Sequence, residues 1–468
     1  MSRQRCIKAS PEIRMGRLFG TDGIRGVAGK DLTAELAFRV GEAVGVLLAE
    51  RDLERKILVG RDSRLSGPML ESALSAGLMS TGCTVHCVGI VPTPVVAFLT
   101  RYLGFPLGCV ISASHNPIED NGIKFFDMGG MKVADGIEDR IEELLQPGAF
   151  ERGKVSGEEI GDRIFSSSVV DVYVKYLVSI GQDRLTGLKL VMDAAYGAGC
   201  SLGTSVFAIL GAEVTPMNAQ PDGSRINVDC GSTNPADCAA RVVELQADMG
   251  VALDGDADRA IFIDEKGQIV DGDQVLAMWG LHLLKMDALP SKAIVGTVLS
   301  NKGLEVALEE HGGKLLRANV GDKYVLREML ESGARLGGEQ SGHLIFLDYH
   351  TTGDGILTAL MVAILMRETG MPLSRLARMM SRFPQVQLNI AVEDKQACLT
   401  DRDVQKAIEA LTKEMDGIKG RLLVRPSGTE SVIRVMTEAP DEAEARRLAI
   451  KAIDLFRNYS STGRVTEI

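Results

Sequence analysis

Runs of apolar residues alternate between helical and strand spacing along almost the whole chain, and this alternation restricts the fold more than any other feature. From Thr33, the apolar positions Leu36, Val40, Ala43, Val44, Leu47 and Leu48 recur every three or four residues. With Thr33 as N-cap and Glu35 in the first turn, this spacing predicts a helix. Ile57-Leu58-Val59 then reads as a buried strand that ends in Gly60-Arg61-Asp62-Ser63-Arg64, followed by an expected helix over about 67–81 and a strand over 84–88. Strand, helix and strand in succession predict a parallel α/β sheet. The alternation resumes at residues 188–192 and again over 293–332, so the chain repeats one architecture.

A chain of 468 residues exceeds one compact core, and ~100–200 residues per domain predicts several. Residues 1–14 carry Arg3, Arg5, Lys8 and Arg14 with little apolar pattern and read as a flexible extension. The expected domains are 15–152, 165–265, 266–380 and 385–468, with a linker rich in glycine, serine and charge over 147–168. A net charge of −11 and only 4% aromatic residues argue against nucleic-acid binding, so an anionic ligand needs a local basic patch. Eight cysteines lack metal-ligand pairing and read as thiols of a reducing cytosol. No apolar run reaches the ~18 residues of a membrane span and the N-terminus lacks a signal-peptide core, so a cytoplasmic protein with no membrane partner is expected.

Four stretches concentrate chemistry. In the first, the strand Cys109-Val110-Ile111 is stopped by the turn formers Ser112 to Pro117, and Asn121-Gly122 is expected to return the chain to Ile123-Lys124-Phe125. Ser114 and Lys124 would then share one small loop, with His115 beside the serine. The pattern is not that of a serine hydrolase, because no Gly-x-Ser-x-Gly elbow surrounds Ser114. The second stretch places Asp254, Asp256 and Asp258 between two apolar runs, where alternate residues of extended chain share a face. Carboxylates ~4 Å apart repel by roughly 4 kcal/mol per pair at an effective dielectric near 20, which a hard cation such as Mg²⁺ or Ca²⁺ relieves. An EF-hand is excluded: although Glu265 falls twelfth from Asp254, Arg259 holds the sixth position, which needs glycine. Asp258 likewise stands where an Asp-x-Asp-x-Thr phosphatase needs threonine.

The third stretch, Leu336-Gly-Gly-Glu-Gln-Ser-Gly-His, presents Glu339, Ser341 and His343 on a glycine loop suited to sugar hydroxyls. In the fourth, Arg425, Ser427, the Gly428 and Thr429 amides and Arg434 form a donor-only set, as a phosphate dianion requires. A glycine run at Gly197, Gly199 and Gly203 misses dinucleotide-binding spacing by one residue, and no nucleotide is assigned there.

Together with Phe19 to Gly26, which carries Arg25, these stretches resemble, in order and spacing, the α-D-phosphohexomutases. The resemblance covers nearly all of residues 16–468. It implies three related mixed-sheet α/β domains plus a smaller C-terminal α+β cap domain around a central cleft. It also implies that Ser114 is carried as phosphoserine, that Asp254, Asp256 and Asp258 hold one Mg²⁺ against that phosphate, and that Lys124 and His343 do acid and base work with Arg25 assisting. His115 and Arg259 would support the site. Gly338-Glu-Gln-Ser-Gly-His, Gly296-Thr-Val-Leu-Ser-Asn and Gly321-Asp-Lys-Tyr look most like the bacterial members that interconvert glucosamine 6-phosphate and glucosamine 1-phosphate on the way to UDP-N-acetylglucosamine and cell-wall precursors. A mutase of mannose or glucose phosphates and a non-catalytic phosphosugar sensor are the competing expectations. The family also leaves room for a glucose- or glucosamine-1,6-bisphosphate activator, a homodimer, and priming of Ser114 by a kinase or by autophosphorylation. Two departures stand out: Ser431 where the family usually has proline, which would loosen the cap loop slightly, and Lys302 where an apolar residue is common.

Overall fold

The computed structural model describes residues 17–20, 22–146, 155–182, 184–427, 431–460 and 464–467. The expected N-terminal extension and the Gly428 and Thr429 amides lie outside them. The chain divides into two compact units, one ending at Asp171 and including Asp222–Ser224, the other made of Val172–Pro221 with the residues from Arg225 on.

In the first unit, seven strands among the described residues form one mixed sheet in the order Phe19–Gly20, Gly23–Val27, Asp120–Asp127, Leu107–Ile111, Lys56–Arg61, Thr84–Ile90, Arg163–Phe165. The last four pair in parallel and the first four antiparallel, with Leu107–Ile111 at the change of direction. The helix predicted from Thr33 spans Ala34–Glu50, and the Thr33 hydroxyl accepts the Leu36 N–H as its cap. It packs on Gly67–Met79 so closely that a Cβ on Gly77 would sit 2.0 Å from the Phe38 carbonyl oxygen. Two differences from expectation follow from tertiary context. Arg163–Phe165, expected as linker, pairs with Thr84–Ile90 as an edge strand. The helix Thr93–Tyr102 gave no readable period because two prolines open it and most of it is buried.

The second unit holds three sheets among the described residues. In the first, Lys189–Asp193, Glu213–Met217 and Met249–Leu253 run parallel and Ala260–Asp264 returns antiparallel. In the next, Lys314–Ala318, Ala293–Thr297 and Leu336–Gly338 run parallel and Leu344–Phe346 returns antiparallel. The C-terminal sheet is antiparallel in its pairings, Arg421–Pro426 with Val432–Glu438, then Gln385–Ala391, then Val465–Glu467. It has its own hydrophobic cluster, which includes Val386, Ile390, Val404, Leu448 and Phe456. The fold is therefore three mixed α/β sheets followed by a smaller C-terminal α+β domain.

One topological rule positions the chemistry. In each α/β sheet a parallel strand ends, a short loop follows, and the chain returns antiparallel beside it. Those loops are Ser112 to Glu119, Asp254 to Arg259 and Glu339 to His343, and in the C-terminal sheet the corresponding connection follows Pro426.

Gly77→Ala tests the close helix contact, because two effects oppose. Alanine favours a helix interior by ~1 kcal/mol, whereas the added methyl meets the Phe38 carbonyl and the Glu42 amide. Overpacking dominates, and thermal unfolding is expected to show a net loss of ~1–3 kcal/mol.

Candidate active site

Ser114 lies in a loop held from beneath by one fully buried guanidinium. Arg64 Nη2 donates to the Ser114 carbonyl at 2.9 Å and the Asn116 carbonyl at 2.7 Å, and Nη1 donates to the carbonyls of Asp120, at 2.9 Å, and Pro117. Its charge is met by Asp62, with Nε 3.0 Å from Oδ2. The same Asp62 oxygen accepts the Ser112 hydroxyl at 2.6 Å, and Ser112 Oγ in turn accepts the Ser114 N–H at 2.9 Å. This wiring holds Ser114 at φ +53°, a left-handed conformation that a serine rarely adopts unless its surroundings over-determine it. The Ser114 hydroxyl lies 3.3 Å from His115 Nδ1.

Asn121-Gly122 does not form the expected second turn. Both residues already belong to the strand Asp120–Asp127, where Gly122 accepts the Ser112 N–H and pairs with Arg25. Lys124 thus sits on a strand, opposite Val110, rather than in the loop. It is 2% exposed, and its ammonium lies 3.0 Å from Asp22. Arg25 and Lys132 also pair with Asp22. Burial by itself would raise the Asp22 pKa, but Lys124, Lys132 and Arg25 outweigh it and hold the carboxyl well below its usual range. Arg25 reaches the serine loop as well, donating to Asn116 Oδ1 at 2.9 Å. Sequence reasoning missed Asp62, Arg64, Asp22 and Lys132. A pair of charges at a strand end was the available signal for Asp62 and Arg64; Asp22 and Lys132 offered none, being 110 residues apart.

The aspartate stretch is a tight turn rather than extended chain. The Ala257 N–H donates to the Asp254 carbonyl at 3.0 Å and Ala257 adopts φ +55°, so the three carboxylates converge by turning instead of by strand alternation. Asp254, Asp256 and Asp258 are buried, and each offers a ligand oxygen such that these atoms lie within 4.8 Å of one another. The Ala198 N–H braces the turn by donating to the Gly255 carbonyl at 2.8 Å, and the Asp254 carboxylate accepts the Arg259 N–H at 3.1 Å. A buried all-oxygen set of this kind fits a hard divalent cation. Although burial lowers the pKa of Arg259, Asp258, Asp254, Glu339 and Asp256 outweigh it and keep the guanidinium above its ordinary value.

His343 belongs to this charged cluster. Its ring is buried against Gly353, where a side chain would not fit, and the Gly353 N–H donates to Nε2 at 3.0 Å. Nδ1 lies 3.5 Å from Asp258. Two influences oppose here, since the Gly353 donor favours the neutral Nδ1–H tautomer while the carboxylates favour the cation. Burial also lowers the pKa, but Asp258, Asp322 and Glu339 prevail and raise it from its ordinary value. Glu339 accepts the Gly321 N–H at 2.9 Å, which joins the Gly321-Asp-Lys-Tyr motif to the glycine loop, and Ser341 is exposed. Arg425 and Arg434 stand directly opposite on paired strands. Burial and the neighbouring Arg434 lower the Arg425 pKa. Like charges so placed destabilise a sheet unless an anion lies between them. Ser427 beside them is buried, and Lys395 donates to its carbonyl at 2.7 Å. Ser431 accepts the Val392 N–H through its carbonyl, a bond that proline at 431 would also allow.

The sequence matches the four domains of phosphoglucomutase/phosphomannomutase: the alpha/beta/alpha domain I over residues 16–152, domain II over 171–267, domain III over 271–383 and the C-terminal domain over 388–455. The chain belongs to this family. It is 50% identical over 444 residues to a phosphoglucosamine mutase of Caldanaerobacter subterraneus subsp. tengcongensis, a match that spans 94% of this chain and 99% of the relative. Among solved structures, a phosphoglucomutase/phosphomannomutase family protein from Burkholderia thailandensis superposes with a TM-score of 0.79 at 28% identity, over 96% of this chain and 99% of the other. The fold is shared with Aspergillus fumigatus N-acetylphosphoglucosamine mutase in complex with GlcNAc-6P and magnesium, at a TM-score of 0.63 and 18% identity over 95% and 96% of the two chains.

Two measurements check the site. Arg64→Ala strands Asp62 as a buried charge and frees four carbonyls, so denaturant unfolding is expected to show a loss of about 3–5 kcal/mol. NMR titration of the metal-free protein is expected to place the His343 pKa above that of an Asp258→Asn variant, with Mg²⁺ moving the wild type in the same direction as that substitution.

Proposed function

We propose that this chain interconverts glucosamine 6-phosphate and glucosamine 1-phosphate through a phosphoserine enzyme and a bisphosphorylated sugar. The observation that carries the reading is the half-identical, nearly full-length match to a phosphoglucosamine mutase. The buried cations, carboxylates and donor-only strand pair described above support the roles that follow.

Ser114 carries the phosphoryl group. In the first half-reaction the bond between phosphorus and the serine oxygen breaks, a bond to the sugar O1 forms, and the O1 hydroxyl proton passes to a base. In the second, the O6 phosphate returns to Ser114 and a proton is delivered to O6. Lys124, buried beside Asp22, and His343, steered by Asp258, are the proton carriers, and Arg25 offsets the phosphate charge. Asp254, Asp256 and Asp258 would hold one Mg²⁺, which when bound neutralises charge on the phosphoryl oxygens. Arg259 balances those carboxylates. Glu339 and Ser341 take the sugar hydroxyls, while Arg425, Ser427, Arg434 and the Gly428 and Thr429 amides hold whichever phosphate is not in flight. A sugar 1,6-bisphosphate restores a serine that has lost its phosphate. Among the described residues no helix is long and apolar enough to cross a membrane, and a cytoplasmic setting fits substrates of this kind.

Turnover of glucosamine, glucose and mannose 6-phosphates, each with Mg²⁺ and with a chelator, tests the proposal. Glucosamine 6-phosphate is expected to be preferred, chelation to abolish activity, and Ser114→Ala to lower kcat by about 1,000-fold or more. Mass spectra should place a phosphate on Ser114. Preference for mannose 6-phosphate would instead indicate a phosphomannomutase.

A further inference from the structure

The segment from Thr297 to Lys302, between the strand Ala293–Thr297 and the helix Lys302–Glu309, is gripped from two sides. From its own domain, Arg317 Nη1 donates to the carbonyls of Thr297 at 3.1 Å and Ser300 at 2.7 Å, and the buried Asp273 accepts the Asn301 N–H at 2.8 Å. From the C-terminal domain, Arg421 donates to the Ser300 carbonyl at 2.9 Å and to the Val298 carbonyl, while lying 3.2 Å from Glu438. Glu438 is wholly buried and accepts the Lys302 N–H at 2.9 Å and the Gln385 amide at 2.8 Å. The Asn301 side chain completes the grip with two 2.9 Å bonds to the backbone of Phe383, on the connection into the C-terminal domain. Burial, then Arg317, lowers the Arg421 pKa to about 10, a measure of how far this charge is withdrawn from water.

Arg421 and Glu438 are themselves cross-strand partners, and the same two strands carry the facing Arg425 and Arg434 four residues further along. At ~3.3 Å per residue the separation is about 13 Å. The strand pair is thus a short lever, fixed at one end by hydrogen bonds and an ion pair whose geometry is narrow, and bearing two like charges at the other.

We propose that Arg421 and Glu438 are positioning residues for the phosphosugar reaction: they anchor the C-terminal strand pair to the 297–302 segment and so set where Arg425 and Arg434 meet the substrate phosphate. This rests on the substrate assignment made above. Neither residue touches the reacting atoms.

Three variants test it. Arg421→Lys keeps the charge beside Glu438 but loses the planar fork that reaches two carbonyls. Lys302→Pro removes only the backbone donor to Glu438 and the Lys302 side chain; proline suits the first helical position, and Asn301 at φ −60°, ψ 140° is compatible with a following proline. Lys302→Ala removes the side chain but keeps the donor. Arg421→Lys and Lys302→Pro are each expected to raise KM for glucosamine 6-phosphate about tenfold, the loss of ~1.4 kcal/mol of binding, with kcat within about threefold, while Lys302→Ala matches the wild type. Without substrate, amides of 421–425 and 432–438 should exchange faster in Lys302→Pro than in Lys302→Ala. Unchanged KM in both altered variants, or equal exchange in the two Lys302 variants, overturns the proposal, and Lys302→Pro keeps it testable if Arg421→Lys fails to fold. A wild type that does not turn over glucosamine 6-phosphate overturns the functional reading instead, and the exchange comparison still decides the anchor.

Discussion

A charge withdrawn from water must be met by a countercharge or by a ring of oriented dipoles, because otherwise its desolvation costs several kcal/mol. Arg64 satisfies both conditions at once, with Asp62 for the charge and the carbonyls of Ser114, Asn116, Pro117 and Asp120 for the hydrogens. The loop it organises has no regular hydrogen bonding of its own through much of its length. Without that guanidinium, the carbonyls of Ser114, Asn116 and Asp120 would lose their side-chain donor, and the Ser112 hydroxyl would be left to hold Ser114 in its left-handed conformation. The same condition shapes the rest of the chemistry: Asp22 gathers three cations, three aspartates gather Arg259 and His343, and Arg421 finds Glu438.

The sheets explain why Ser114, the three aspartates and Glu339 come in loops. A strand running parallel with its neighbours ends at the edge of its layer, and an antiparallel return beside it forces a short connection whose ends are held by backbone pairing. Side chains on such a connection inherit the rigidity of two strands while facing outward from the strand ends. Glycine enters where the chain must pass very close to another: Gly342 lies against the Ala260 carbonyl and Gly197 against the Gly255 carbonyl, so the loop from Glu339 to His343 and the stretch around Gly197 both brace the aspartate turn.

The C-terminal domain differs in kind. Its core is separate, and its tie to the preceding domain runs through Arg421, Glu438, Asn301 and Lys302. Apolar contacts tolerate sliding, whereas a forked guanidinium on two carbonyls does not. Such a tie defines an orientation. Lys302, an unusual residue by family resemblance, adds a 2.8 Å pair with Glu305 and leaves the backbone bond to Glu438 intact.

Much was legible in the sequence because it depends on neighbours along the chain. Helical and strand periods gave the α/β class, and the turn formers after Ile111 and the spacing of Asp254, Asp256 and Asp258 marked the loops. The helix Gly272–Lys285 could have been found from its cap, since Asp271 and Gln274 form a capping box. What escaped was decided by partners far apart in sequence. Asn121-Gly122 looks like a turn until Arg25 and Ser112 claim it for a strand; the aspartates look extended until Ala257 turns left-handed. The sequence by itself determined which residues could do chemistry and which segments would be strands or helices, since propensity and polarity are local. Only the tertiary structure decided which partners the charges meet, as with Asp22 and Lys132 or Arg64 and the Ser114 carbonyl, because desolvation is settled by whatever the fold brings within reach.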